Sequence, residues 1–322
     1  MNRSEILFLY DIADANPNGD PLDDNKPRLD EENEINLVTD VRLKRTIRDY
    51  LHDFKNQELF IKEIKDKDGN IQDAKQRAAD FFDADKKYGA IEDARKDIKE
   101  SIVSKCIDVR LFGATIPIEP KINSKKKTGS VTLTGPVQFR MGRSLNKVEI
   151  QHIKGTGAFA SGGGKDQKTF REEYVVPYSL ISFYGIINEN AAKETNLSDD
   201  DVDLLMDGIW NGTKNLISRS KFGQLPRFLM QIEYNENNYF IGDLNNKIFI
   251  THDLEDDKKL RNISEINLNL SELLKAIIED KDKINKINYK FDSGIKFEGY
   301  ESADDLLDEF NSNGIKTEEI NF

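Results

Sequence analysis

Apolar residues occur along the chain in two rhythms, short continuous runs and a helical spacing, and their order lays out the elements. The first run, within ILFLYDI at 6–12, has the length and apolar content of a buried strand over 6–10. Pro17, Asn18-Gly19 and Pro21 follow, so a structured loop over 14–21 takes over. From near Leu37 the period becomes helical. Leu43, Ile47, Tyr50, Leu51 and Phe54 fall on one side of a helix, and Arg42, Arg45, Arg48 and His52 on the other. The first side is predicted to pack and the second to form a cationic face.

Residues 55–100 are rich in Lys, Asp, Glu and Ala, with scattered apolar positions (Ile61, Ile64, Ala78, Phe81, Phe82, Ile91, Ile98). This pattern predicts exposed helices with a turn at Asp68-Gly69, an insertion with no catalytic spacing. Beyond Ser101, CIDVRLFG and SVTLTGPVQFRMGRS alternate well enough for strands, the second interrupted at Gly135-Pro136. VVPYSLISFYGIIN reads as a buried strand. Ser198-Asp-Asp-Asp201 has the form of a capping box opening a helix through Leu204, Leu205, Ile209, Trp210 and Leu216, and FLMQIEY is a further strand. The segment 240–322 mixes short strands with acidic helices and carries no motif. Strand, helix, strand, strand, helix, strand, with large insertions, predicts an α+β fold of the RRM-like (ferredoxin-like) kind.

The chain has 322 residues, enough for a substantial core without staples. Its single cysteine, Cys106, permits no internal disulfide and reads as a small buried hydrophobe in a reducing compartment. No secretory signal and no membrane span are evident, so a cytoplasmic location is expected. With 47 basic and 59 acidic residues the net charge is −12, which by itself argues against nucleic-acid binding. The average conceals an asymmetry. Over 119–171 there are eleven Lys and Arg against three acids, a local net of +8 that leaves −20 for the remainder. A basic band on an acidic body suits a chain that grips polyphosphate in one place and avoids it elsewhere.

Four basic segments hold the candidate chemistry. Lys125-Lys126-Lys127 forms a basic turn. In VQFRMGRSLN, Gln138, Arg140, Arg143, Ser144 and Asn146 cluster beside Gly142, where backbone can approach a ligand. Residues 150–174 describe a long basic hairpin with a Gly162-Gly163-Gly164 tip and Lys154, Lys165, Lys168 and Arg171 near it; the glycines match neither a dinucleotide nor a P-loop fingerprint. The loop 218–227 gathers Ser218, Arg219, Ser220, Lys221, Gly223, Gln224 and Arg227, a dense phosphate-type constellation. Asp14, Asn16, Asn18 and Gly19 begin like a calcium loop, but Asn25 stands where a bidentate Glu is needed. His52, His152 and His252 have no metal-ligand spacing, and no cofactor is expected.

The words NPNGDP, NLVTDVRLKRTIRDYL, DVRLFG, GPVQFRMGRSLN and SRSKFGQLPR, in this order, resemble the Cascade backbone subunit of CRISPR-Cas systems. That is the Cas-seven family of the RAMP superfamily, here of the Csh-two kind in subtype I-B. The resemblance spans about 5–235. It implies one RRM-like RAMP domain over 1–322: a palm, a helical finger-like insertion at about 55–100, a protruding thumb hairpin at about 150–174 and a C-terminal extension at about 240–322. It implies a non-catalytic subunit, working without a cofactor, that polymerises along crRNA. The implied partners are other copies of itself, target DNA through the guide, the large, small and guide-capping Cascade subunits, and a recruited helicase-nuclease.

On the resemblance, guide RNA would be held by Arg42, Lys44, Arg45 and Arg48 of the first helix and by Arg140, Arg143 and Ser144 of the basic strand. The thumb would add Lys154, Lys165 and Lys168, and the post-helix loop Ser218, Arg219, Ser220, Lys221 and Gln224. A subunit that serves any spacer has to contact phosphate and sugar and leave the bases free to pair. The alternative is a metal-dependent RNA endonuclease of the type III backbone kind, using an aspartate of the first loop (Asp14, Asp20, Asp23, Asp24) with Mg²⁺. A ribonuclease of the same superfamily would instead need a histidine near the RNA.

Overall fold

The computed structural model describes residues 1–83, 85–160 and 168–322, with backbone alone at 156–160 and 168–171. In chain order, β1 (Ser4–Ala15) is followed by β2 (Leu29–Asp30), β3 (Ile35–Val38) and α1 (Asp40–Lys55). Next come α2 (Ala74–Ala79), α3 (Ile91–Lys105), α4 (Ile107–Phe112), β4 (Gly113–Ile118) and β5 (Gly129–Thr134). Then β6 (Gly142–Lys147), β7 (Gln151–Ala160) and β8 (Lys168–Ile187) lead to α5 (Glu189–Thr195), α6 (Asp199–Lys214) and β9 (Leu225–Tyr234). The tail adds α7 (Ser271–Glu279), β10 (Ile284–Phe291), α8 (Ala303–Ser312) and β11 (Thr317–Glu319). The chain divides into two compact units: 1–3, 44–138 and 186–212 form one, and 4–43, 139–185 and 213–322 the other.

The second unit is built on a mixed sheet in the order β11-β10-β9-β1-β8-β6-β3-β2, with β7 pairing β8 off that path. β1 is central. Ile6, Leu7, Phe8 and Leu9 are fully buried on both of its faces, which is why the run is continuously apolar and not alternating. It pairs antiparallel with β9 from Ser4↔Glu233 to Asp11↔Leu225, and β9 pairs with β10 from Phe228↔Phe291 to Tyr234↔Ile284. The tail is therefore structural: its Leu244, Leu273, Ile277, Leu306 and Phe310 share one core with Leu7, Leu9, Phe228 and Tyr234.

The first unit holds α2 to α5, the β4-β5 hairpin and most of α1 and α6. Its core joins Phe60, Ala78, Phe81, Ala94, Ile98 and Cys106 to Val109, Ile116 and Leu133. The segment 55–100 thus has a packed interior, where the sequence suggests an exposed lobe. Cys106 is buried as expected, and burial pushes its thiol up to about 12. Gly208 and Gly212 bring α6 close to α1, since a Cβ at either would stand 3.0 Å from an atom of Ile47 or Tyr50.

Three local expectations need correcting. IDVRLF is the helix α4, not a strand; every residue except Arg110 is buried, so apparent alternation carried no directional information. The helix α1 starts at Asp40, with the Thr39 hydroxyl accepting the Arg42 N–H, while Leu37 belongs to β3. Phe54 is 58% exposed and stacks on Tyr50 at 5.1 Å, so the packed stripe ends one turn early.

Candidate nucleic-acid interface

In the first unit, the cations of α1 separate into two kinds. Lys44 is half-buried, its ammonium donating to Gln138 Oε1 at 3.4 Å and lying 5.7 Å from the Phe112 ring. Arg45 projects into solvent and its Nε reaches both Asp49 carboxylate oxygens at 2.8 Å. Arg48, expected on the cationic face, is only 9% exposed. Its Nε donates to Asp108 Oδ2 at 3.3 Å and its guanidinium lies 5.0 Å from the Phe112 ring. Asp108 also accepts the backbone N–H groups of Phe60 and Ile61. Arg48 therefore ties α1 to the segment after it, and burial lowers its pKa from the ordinary arginine range.

In the sheet unit, β6 sends consecutive side chains to opposite faces. Arg143 is exposed and paired with Asp30, whereas Ser144 is buried. The Ser144 hydroxyl accepts the Asn36 N–H at 2.9 Å and donates to Asn146 O at 2.7 Å, so it stitches β3 to β6 and is not presented to a ligand. Arg140 is exposed, paired with Asp243 and 5.1 Å from the Tyr184 ring. Gly142 serves the interior: a Cβ there would stand 2.5 Å from the Phe183 ring. That packing, and not ligand approach, is why glycine is needed.

Lys154 is exposed near the start of β7, 3.5 Å from Glu172. The backbones of β7 and β8 pair from Gln151↔Val175 to Ala160↔Lys168. Lys165 and the side chain of Lys168 lie outside the described residues. Of the post-helix loop, Ser218 and Arg219 are exposed and Ser220 half-buried, with Arg219 3.9 Å from Glu173. Gln224 is 5% exposed and does not reach solvent. Lys221 is half-buried, and its ammonium donates to Asn16 O at 2.9 Å, while the Asn16 N–H donates to Ser220 O at 2.9 Å. Burial, helped by the charge of Arg42, pulls the Lys221 pKa down to about 8. Sequence reasoning missed Asn16 as the joint between these loops, because its partners lie some two hundred residues away.

Arg45, Arg140, Arg143, Lys154 and Arg219, the exposed candidates just described, thus each carry a carboxylate partner. Such pairs contribute at most about 1 kcal/mol each, so a phosphate oxygen can replace the carboxylate at small cost, whereas Arg48 cannot be released. In the loop after β1, Asp20 is 2.7 Å from Arg28 and Asp23 is 2.7 Å from Lys26. Among the described residues no group of three or more His, Cys, Asp or Glu could hold a metal ion. His52 lies against Gln57 O, His152 stacks on Tyr174 at 4.5 Å and His252 lies 2.9 Å from Asp257. No helix among the described residues is long and apolar enough to cross a membrane.

The family model described as CRISPR-associated protein Cas7 matches residues 2–271. A Haloferax volcanii protein described as CRISPR-associated protein Cas7 is 32% identical over 315 residues, covering 92% of this chain and 89% of its own length. A chain of a solved "CRISPR RNA-guided surveillance complex, pre-nicking" superposes with a TM-score of 0.53 at 12% identity, covering 96% of this chain and 99% of the other. A chain of another solved "CRISPR RNA-guided surveillance complex" gives 0.50 at 13% identity, covering 97% and 100%. At these identities the two structures show likeness of fold.

Proposed function

Because the chain belongs to the CRISPR-associated protein Cas7 family, we propose that it is a non-catalytic backbone subunit of a type I interference complex. Several copies line up along crRNA, hold its ribose-phosphate chain and leave the spacer bases to pair with target DNA. The order β9-β1-β8-β6 supports an RRM-like palm, since numbering these strands one to four along the chain gives 4-1-3-2. The paired β7 and β8 supply a thumb, and the large, small and guide-capping subunits and a helicase-nuclease are the further partners.

The observation that carries this reading is Lys221, half-buried in the post-helix loop with its ammonium donating to Asn16 O and its pKa lowered by burial and, to a lesser extent, by the charge of Arg42. A half-buried ammonium in the same loop as exposed Ser218 and Arg219, under the further charge of Arg42, forms a setting that an anion stabilises, and phosphate supplies that anion without any reading of bases.

Two measurements test it. Arg140→Ala with Arg143→Ala should weaken binding about equally for unrelated guide sequences and flatten the salt slope by up to about two units; a loss confined to particular sequences would contradict backbone gripping. Binding should also weaken from pH 7 to 9 as Lys221 loses its proton near 8, and Lys221→Arg should flatten that profile. Fluorescence anisotropy with a labelled oligoribonucleotide reads both, and a flat wild-type profile would remove Lys221 from the contact. Fold stability moves oppositely. The unfolded chain keeps this proton up to about 10.5, so the group makes folding more favourable as pH rises from about 8 toward that value.

A further inference from the structure

Within the sheet unit, the β7-β8 ribbon leaves the body at Tyr174. Residues 175–185 are buried, whereas Glu172 and the side chains of 151–155 are exposed. A two-stranded ribbon has little stability of its own, so its direction is set at the point where it leaves the sheet.

The rung at that point is an aromatic pair. Tyr174 stands opposite His152 in the register, and the two rings stack at 4.5 Å with 14° between their planes. The Lys26 ammonium, from the loop after β1, lies 5.5 Å from the Tyr174 ring. Lys26 is itself held, by Asp23 at 2.7 Å and by the pairing of Gly19–Asp20 with Lys26–Pro27. Its loop is anchored in turn through Asn16, whose Nδ2 donates to Asn25 O at 2.7 Å and whose N–H donates to Ser220 O. Stacked and cation-π contacts are directional, so this loop fixes the Tyr174 ring and the ring fixes His152. On the other face of the ribbon Glu173 lies 3.9 Å from Arg219, which holds the strand from both sides at one level.

The next rung carries a guide-holding candidate. Alternation places His152, Lys154, Glu172 and Tyr174 on one face, with Lys154 opposite Glu172. Glu172 lies 3.4 Å from His152 and 3.5 Å from Lys154, so one carboxylate bridges the two rungs. Contacts therefore run without a gap from Asp23 through Lys26, Tyr174, His152 and Glu172 to Lys154. We propose that Tyr174 is a positioning residue, which passes the fixed direction of the loop after β1 along this face and so aims the Lys154 ammonium at the guide. The inference rests on the reading of Lys154 as a phosphate contact. Tyr174 itself does not touch the guide.

The test measures affinity against salt concentration for a short labelled oligoribonucleotide that accommodates one copy. It compares full-length wild type with Lys154→Ala, Tyr174→Ala, Tyr174→Phe and the double variant carrying both alanines. Loss of one phosphate contact to a single strand flattens the salt slope by about 0.7 units. Lys154→Ala and Tyr174→Ala should each show that change, and the double variant should show no more than either alone. Tyr174→Phe keeps the stack and should match wild type, which a general loss of stability at this position would not explain. Hydrogen exchange at the backbone amides of 152–155 should be about tenfold faster in Tyr174→Ala and unchanged in Lys154→Ala.

Unchanged exchange or an unchanged slope in Tyr174→Ala, or additive losses in the double variant, would overturn the proposal. An unchanged slope in Lys154→Ala would instead overturn the phosphate reading of Lys154. Should Tyr174→Ala fail to fold, Tyr174→Leu, which keeps volume without a stacking face, takes its place with the same expectations.

Discussion

Glu5→Ala should cost about 3–5 kcal/mol of folding free energy, the scale for removing one partner of a buried charged network. Glu5 is fully buried in β1. Its carboxylate accepts the hydroxyls of Tyr184 and Tyr234 and, at 2.9 Å each, the backbone N–H groups of Ile241 and Gly242. One side chain therefore ties β8, β9 and the start of the tail to the central strand. Alanine strands the two buried tyrosine hydroxyls, each with a desolvation penalty of about 1–3 kcal/mol before relaxation, and takes an acceptor from the half-buried Ile241 and Gly242 N–H groups. Urea unfolding should show the lower midpoint, and limited proteolysis should cut near 241 first. A variant within about 1 kcal/mol of wild type would mean that water replaces the carboxylate and that the site is more open than its geometry implies.

Asp108→Ala should be nearly as damaging, again about 3–5 kcal/mol, because it leaves the Arg48 guanidinium buried without a counter-charge and frees the N–H groups of Phe60 and Ile61. The same geometry predicts a clean separation on α1. Arg48→Ala should lower stability with little change in the salt slope of RNA binding, whereas Arg45→Ala, whose exposed pair with Asp49 is worth about 0.5 kcal/mol, should do the reverse. Equal loss of RNA affinity in both variants at unchanged stability would show that Arg48 leaves its buried position to reach the guide.

That contrast also shows where sequence reading stops. Spacing placed Arg42, Arg45 and Arg48 on one helical face, but a face wider than the solvent-exposed arc includes positions that a distant segment covers. Only the fold reveals that Asp108, sixty residues on, covers Arg48. Ser144 and Gln224 were hidden by the same blindness: polar residues read as surface until a neighbouring strand or loop is seen to enclose them. What was legible was local. The capping box at Ser198 is present, with reciprocal bonds of 3.1 Å to Asp201, and the apolar runs of β1, β8 and β9 are the buried strands they suggested. The tail's share in the sheet was not legible, because β10 alternates weakly and its partner lies some fifty residues earlier.

The two ends of the long sheet carry a further implication. One terminates in the three-residue β11 and the other in the two-residue β2. Neither offers enough free backbone to recruit a foreign strand, the usual route by which β-rich chains clump sideways. On the proposed reading, in which copies line up shoulder to shoulder, short edges let the protein reach high local density without its sheets fusing into fibres.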